Sequence, residues 1–289
     1  MRLQVLGRPF RIGSYKRRRP ERAECFVLED YIELLRSLLN AGVCFDSLEN
    51  PVLAKASNER RHYIKHDIHH DLGNTYLMAA AEAQLGVTST YFMMHENFVN
   101  RRYFGQSATW ATLRSIQDMR HHIGLHVDGF LLIEQFGDLR EGIAETRRVF
   151  AAEGIDLTVG NTHGNSAYQS KFNFEPMNFY PEVARPTECT DAFWLSHYSR
   201  YSLADLGFRV WADTAVWQQG VGEQLLDFYV SDNSTGICAG GSRKSTWDHI
   251  GEQWDLSEPH RRRILQLIRE GSCIYLIHPQ FYRPDRSGR

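Results

Sequence analysis

Seven consecutive residues, Lys65-His66-Asp67-Ile68-His69-His70-Asp71, contain three histidines and two aspartates. Imidazole ligates transition metals and exchanges protons near neutral pH, and a carboxylate can take a proton or bind a metal. An apolar run leads into this heptad, so it reads as the end of a strand. Strand side chains alternate with period 2, which puts Asp67 and His69 on one side and His66 on the other. His70 and Asp71 then start a helix, with Asp71 as its cap. Asp67 and His69 read as half of a metal site in a hydrolase, and the rest of the chain must supply the other half.

The elements that would position such a site follow from periodicity. Tyr31, Ile32, Leu34, Leu35, Leu38 and Leu39 have helical spacing over Glu29 to Asn40. Strands are expected at His62 to Asp67, Val87 to Met94, Ile123 to Val127 and Leu157 to Thr162. Helices are expected from Asp71 to about Leu85, over Ala108 to His121, and from Asp138-x-x-Glu141 to about Glu153, with Gly86 and Gly154 as stops. Residues 164–200 read as a loop rich in aromatic and polar residues. Phe208 to Trp211, Leu226 to Val230 and Cys273 to Ile277 look like further strands, and Pro259 to Glu270 like a helix. Alternating strands and helices imply a parallel sheet, either a (β/α) barrel or an open doubly wound sheet. Both gather function at the carboxyl ends of their strands. Those ends carry Asp67 with His69, His126 with Asp128, His163, and His278. No GxGxxG turn follows any of these strands, which argues against dinucleotide binding.

Composition narrows the classes. The chain has 289 residues, 42% apolar and 24% charged, enough for a sizeable core. A formal charge of −2 gives no electrostatic case for nucleic acid, and the basic run Lys16 to Arg19 reads as a solvated tail. No run of 18 apolar residues suggests a membrane span. Met1 to Pro20 lacks an apolar signal core, and Cys25, Cys44, Cys189, Cys238 and Cys273 form no CxxC pair, so the expected setting is cytoplasmic. The oligomeric state is left open.

In order, His66-Asp67-Ile68-His69, Leu85-Gly86-Val87-Thr88-Ser89-Thr90-Tyr91-Phe92, Ile123-Gly124-Leu125-His126, His163-Gly164-Asn165 and Leu276-Ile277-His278-Pro279 resemble the motifs of the polysaccharide deacetylase (NodB-like) superfamily. The resemblance covers about residues 60–280. It implies a distorted (β/α) barrel over residues 61–289, with residues 1–60 as an N-terminal extension whose one helix packs on it. It also implies a divalent metal, usually zinc, and removal of acetyl groups from amino sugars. By that resemblance Asp67 is the general base, His278 the general acid, and His69 and His126 metal ligands. Two positions depart from the family pattern. His69 stands where an acidic ligand is usual, and Phe130 stands where a second histidine is usual. Imidazole still suits zinc. His163 is the expected third ligand, with Asp128 and Asp67 as fallbacks.

The expected activity is metal-dependent hydrolysis of an acyl amide or ester on a small-molecule or carbohydrate substrate. Asp128, Asn165 and Asp232 are candidate substrate contacts. A catalytically silent carbohydrate-binding relative is the alternative, motivated by Phe130, and an amidohydrolase acting on a non-sugar C–N bond would use the same residues. Bland readings also stand: His69 as a surface histidine at a helix start, His126 as a core histidine, His163 as a turn residue. His66 is expected to be a hydrogen-bonded core histidine. His121 and His122 are expected to serve as cations at a helix end.

Overall fold

The structure is a computed structural model that describes residues 26–49, 61–69, 72–94, 107–163, 201–212, 228–231, 237–238, 249–250 and 272–284. His70, Asp71, Asn165, Asp232, the expected helix at 259–270, the aromatic-rich stretch 164–200 and the basic run lie outside them.

The described elements are β1 (Phe26–Val27), α1 (Leu28–Asn40), β2 (Cys44–Asp46), β3 (Arg61–Ile68), α2 (Leu72–Gln84), β4 (Thr90–Met94), α3 (Ser107–Asp118), β5 (His122–Val127), α4 (Gly129–Phe136), α5 (Leu139–Ala152), β6 (Val159–Thr162), α6 (Leu203–Leu206), β7 (Val210–Trp211), β8 (Phe228–Ser231), β9 (Ile237–Cys238), β10 (His249–Ile250), β11 (Cys273–Ile277), a 3-10 turn (Pro279–Phe281) and β12 (Tyr282–Arg283). The main sheet runs β7-β6-β5-β4-β3-β11-β8. Every neighbouring pair in it is parallel. β2 extends the sheet alongside the first residues of β3, below the point where β4 begins to pair.

The sheet curls. Asn161 on β6 donates from Nδ2 to Asp67 Oδ1 on β3 at 2.9 Å. Those strands are three spacings apart, about 14 Å in a flat sheet, so their inner faces must turn toward each other. The architecture is therefore a curled half-barrel of parallel strands alternating with helices, the distorted (β/α) barrel expected from the sequence.

Alternation sorts the side chains. Tyr63, Phe92, Val159 and Ile274 form an inner cluster. The outer face is covered twice. α1 brings Tyr31, Leu34, Leu35 and Leu38 onto Ile64, Tyr275 and Ile277, while α3 and α5 bring Leu113, Ile143 and Phe150 onto Tyr91, Ile123 and Leu125. Gly124 has a steric reason: a Cβ there would lie 2.6 Å from the Phe92 ring, which spans the inside of β5.

His66 does face outward and is fully buried. Its Nε2 lies 2.7 Å from Glu82 Oε1 on α2, and its ring stacks on Tyr91 at 4.3 Å. Tyr31 and Tyr91 also donate to this carboxylate, Tyr91 at 2.6 Å. Burial pushes the Glu82 carboxyl up, but the His66 ring, His121 and the Tyr31 hydroxyl outweigh it and hold the pKa at about 2.

The expected cationic role of His121 is corrected. α3 ends at Asp118, Arg120 takes a positive φ of 71°, and His121 turns inward. Its Nδ1 accepts from Ser89 N–H at 3.1 Å, so Nε2 carries the proton and donates to Ala79 O at 2.9 Å. Burial lowers its pKa, which suits this neutral tautomer.

β1, β2, α4, α6, β9, β10, the 3-10 turn and β12 were not anticipated. β2 is three residues long, too short for a period to register. α4 is eight residues whose apolar run follows directly on β5, and its start is marked by Asp128, which accepts from Leu131 N–H. β4 also begins later than expected, because Gly86 closes α2 at φ 72° and Val87 N–H returns to Glu82 O.

Candidate metal centre

Four histidines meet above the inner face. His69 follows β3, His126 lies on β5, His163 follows β6 and His278 follows β11. The His69 ring centroid lies 5.5 Å from that of His126, 5.1 Å from His163 and 5.5 Å from His278. His126 and His163 are 4.8 Å apart. One potential ligating atom from each of His69, His126 and His163 lies within 4.8 Å of the other two. Among the described residues this is the one group of His, Cys, Asp or Glu side chains so arranged.

The strands explain the convergence. His126 pairs in register with Asn161, and His163 N–H continues the ladder by donating to Val127 O at 2.8 Å. His278 follows β11, where Ile277 pairs with His66, so it stands level with Asp67. It also precedes the 3-10 turn begun by Pro279.

Asp67 sits among them, buried. Its Oδ2 is 3.5 Å from His126 Nε2 and 3.9 Å from Lys65 Nζ. Lys65, two residues earlier on the same face, is itself buried and lies 5.7 Å over the Phe92 ring. Asn161 joins two of the site residues, since its Oδ1 lies 2.7 Å from His126 Nδ1 while its Nδ2 donates to Asp67. Neither Lys65 nor Asn161 stood out in the sequence. Alternation could have found both, because each precedes a site residue by two, Asp67 in one case and His163 in the other.

Asp128 is fully buried below this layer. Its Oδ1 accepts from Leu131 N–H at 3.2 Å, and its Oδ2 lies 3.5 Å from His163 Nδ1. The carboxylate thus caps α4 and backs a histidine at once. Position 130 falls in the first turn of α4, two residues after this cap.

The donor set suits a divalent ion. Burial, then the neighbouring His126, His278 and His163 rings, holds His69 well below its ordinary pKa. Burial, then His163 and Lys65, does the same for His126. Neutral imidazole is the ligating form. Rings packed this closely repel one another's protons but would share a cation, and three histidines are a known ligand set for zinc.

No family model matches the chain, and no curated protein matches it. Among solved structures, a mutant of a CE4 family pseudoenzyme with restored enzymatic activity is similar at a TM-score of 0.36, with 14% identity over 77% of this chain. The wild-type CE4 family pseudoenzyme from Bacillus anthracis gives 0.37 and 13% over the same share. The chain spans little more than half of those structures, 57% and 56% of their lengths. The fold assignment rests on the strand order and pairing described above.

Proposed function

We propose that the chain is a metal-dependent hydrolase of the deacetylase type, removing an acyl group from a sugar or sugar-like substrate. One observation carries the reading: three histidines from three strand ends bring their ligating atoms within 4.8 Å of one another, beside a buried carboxylate. His69, His126 and His163 would hold the metal, and zinc bound there would supply Lewis acidity toward a carbonyl and toward water. Asp67 takes the proton of the attacking water as its oxygen bonds to the acyl carbon. His278 gives a proton to the departing nitrogen or oxygen as the acyl bond breaks. Lys65 places its Nζ 3.9 Å from Asp67 Oδ2. Asp128, engaged with Leu131 N–H and His163, supports the ligand instead of touching the sugar. Asn165 and Asp232 are assigned to substrate hydroxyls.

Purified protein is expected to retain a divalent ion, measured by elemental analysis, and to lose it in His126→Ala. Unchanged metal content in that variant would sink the reading. Asp67→Asn should abolish acyl release from acetylated amino sugars while metal stays bound. A second reading, a silent sugar-binding chain, is favoured by Phe130 at the position where the family supplies its second histidine. It predicts sugar binding that survives chelation, with no acyl release from any substrate. Release from non-sugar amides alone would instead identify an amidohydrolase of another substrate class.

A further inference from the structure

We infer that Asn161 is a positioning residue that sets which nitrogen of His126 is open to a metal; this rests on the metal-centre reading above. Asn161 is fully buried and stands opposite His126 in the β5–β6 register. Its side chain makes two short contacts, Oδ1 to His126 Nδ1 at 2.7 Å and Nδ2 to Asp67 Oδ1 at 2.9 Å.

The chemistry of these groups leaves one assignment. A carboxylate oxygen only accepts, so the amide must turn its NH2 to Asp67. Its carbonyl oxygen, which also only accepts, then faces His126. Nδ1 of His126 must therefore carry the proton. A neutral imidazole has one N–H, so Nε2 holds the lone pair.

That outcome is contested within the site. Asp67 Oδ2 lies 3.5 Å from His126 Nε2 and is a stronger acceptor than an amide oxygen. Without Asn161, the single ring proton gains by moving to Nε2 and pointing at Asp67. Nε2 would then be blocked as a ligand. Asn161 prevents this twice, by accepting the proton on Nδ1 and by drawing Asp67 Oδ1 toward its own NH2. Two acceptors, Nε2 and Oδ2, are left facing each other, an arrangement that a cation between them relieves. Partners of this kind on ligating histidines change metal affinity by roughly 10–100-fold when removed.

The test uses the full chain, without metal and with added zinc. The readouts are the protonation of the His126 ring nitrogens, by heteronuclear NMR of isotope-labelled histidine, and zinc affinity by direct titration. His126→Gln assigns the resonances. Wild-type protein should show the proton on Nδ1. Asn161→Leu should move it to Nε2 and weaken zinc binding by about 10–100-fold. Asn161→Asp is nearly isosteric and keeps an oxygen opposite Nδ1; its other oxygen meets Asp67 Oδ1, where the two carboxyls would share one proton, and Nδ1 should stay protonated. A proton that stays on Nδ1 in Asn161→Leu, or leaves it in Asn161→Asp, overturns the assignment. Wild-type protein that binds no zinc would remove the metal-centre reading, while the comparison of ring tautomers would still decide the role of Asn161.

Discussion

Asp67 is held from two directions, by Asn161 Nδ2 at 2.9 Å and Lys65 Nζ at 3.9 Å, and faces His126 Nε2 at 3.5 Å. In the proposed role of proton acceptor, a carboxylate fixed this way would lose little orientational freedom on meeting a substrate, which is how positioning lowers a barrier. The His278 ring stands edge-on to the His69 ring, with centroids 5.5 Å apart. It stands beside the three histidines proposed as ligands and is not one of that group. His278→Gln should therefore lower turnover by about 10²–10⁴, the range of general acid–base catalysis, with zinc affinity little changed. Steady-state kinetics and a zinc titration on the same preparation check this. Loss of zinc with loss of turnover would instead make His278 a ligand.

β3 is the element on which the site depends, and it is fastened on its outer side. Glu82 is fully buried and takes hydrogen bonds from Tyr31 of α1 and Tyr91 of β4, with His66 of β3 at 2.7 Å. Four elements meet at one carboxylate, directly behind Asp67. The Glu82 pKa is about 2 in the fold against 4.5 as its ordinary value, so the carboxylate favours the folded chain above 4.5. The unfolded chain takes up this proton first as pH falls, so that stability, on the order of a few kcal/mol, is lost between those two values. Acid unfolding followed by circular dichroism should show this loss in the wild type and a much flatter profile in Glu82→Gln. Equal slopes in both proteins would remove Glu82 from the account. Gly124 offers a second check. Gly124→Ala puts a methyl 2.6 Å from the Phe92 ring and 3.0 Å from Val159 O, and should cost about 1–3 kcal/mol in denaturant titration. Adding Phe92→Leu should recover part of that cost, because the two sites share one space.

At the scale of the molecule, the curl of the sheet is what makes a site. Strands β11, β3, β5 and β6 are not all neighbours, yet their ends bring four imidazoles together. A metal held by His69, His126 and His163 would tie β3, β5 and β6 to one another and should stabilise the fold by mass action, by about 2.7 kcal/mol at 100 times its dissociation constant. Zinc should therefore raise the melting temperature of the wild type by several degrees, and EDTA should reverse it. His163→Ala should show little of this response. A full zinc shift in that variant would take His163 out of the ligand set. No helix among the described residues is long and apolar enough to cross a membrane.

Much of this was legible in order of residues alone. The alternation of β3 separated Asp67 from His66, and both took the sides expected of them. Strand ends carrying histidine identified β3, β5, β6 and β11 as the elements to watch. The apolar spacing of Glu29 to Asn40 and the cap at Asp138 marked α1 and α5 to within a residue or two. Periodicity reports which face a residue takes on its own element, and it carries no information about a different strand. So the sequence could not show that Asn161 bridges His126 and Asp67, that Asp128 is buried under His163, or that His121 turns in to serve as a neutral acceptor. Those facts depend on how far the sheet curls and on what lies across it. That is set by the packing of Phe92 over Gly124 and of the helices behind, a property of the assembled chain and not of any one stretch of it.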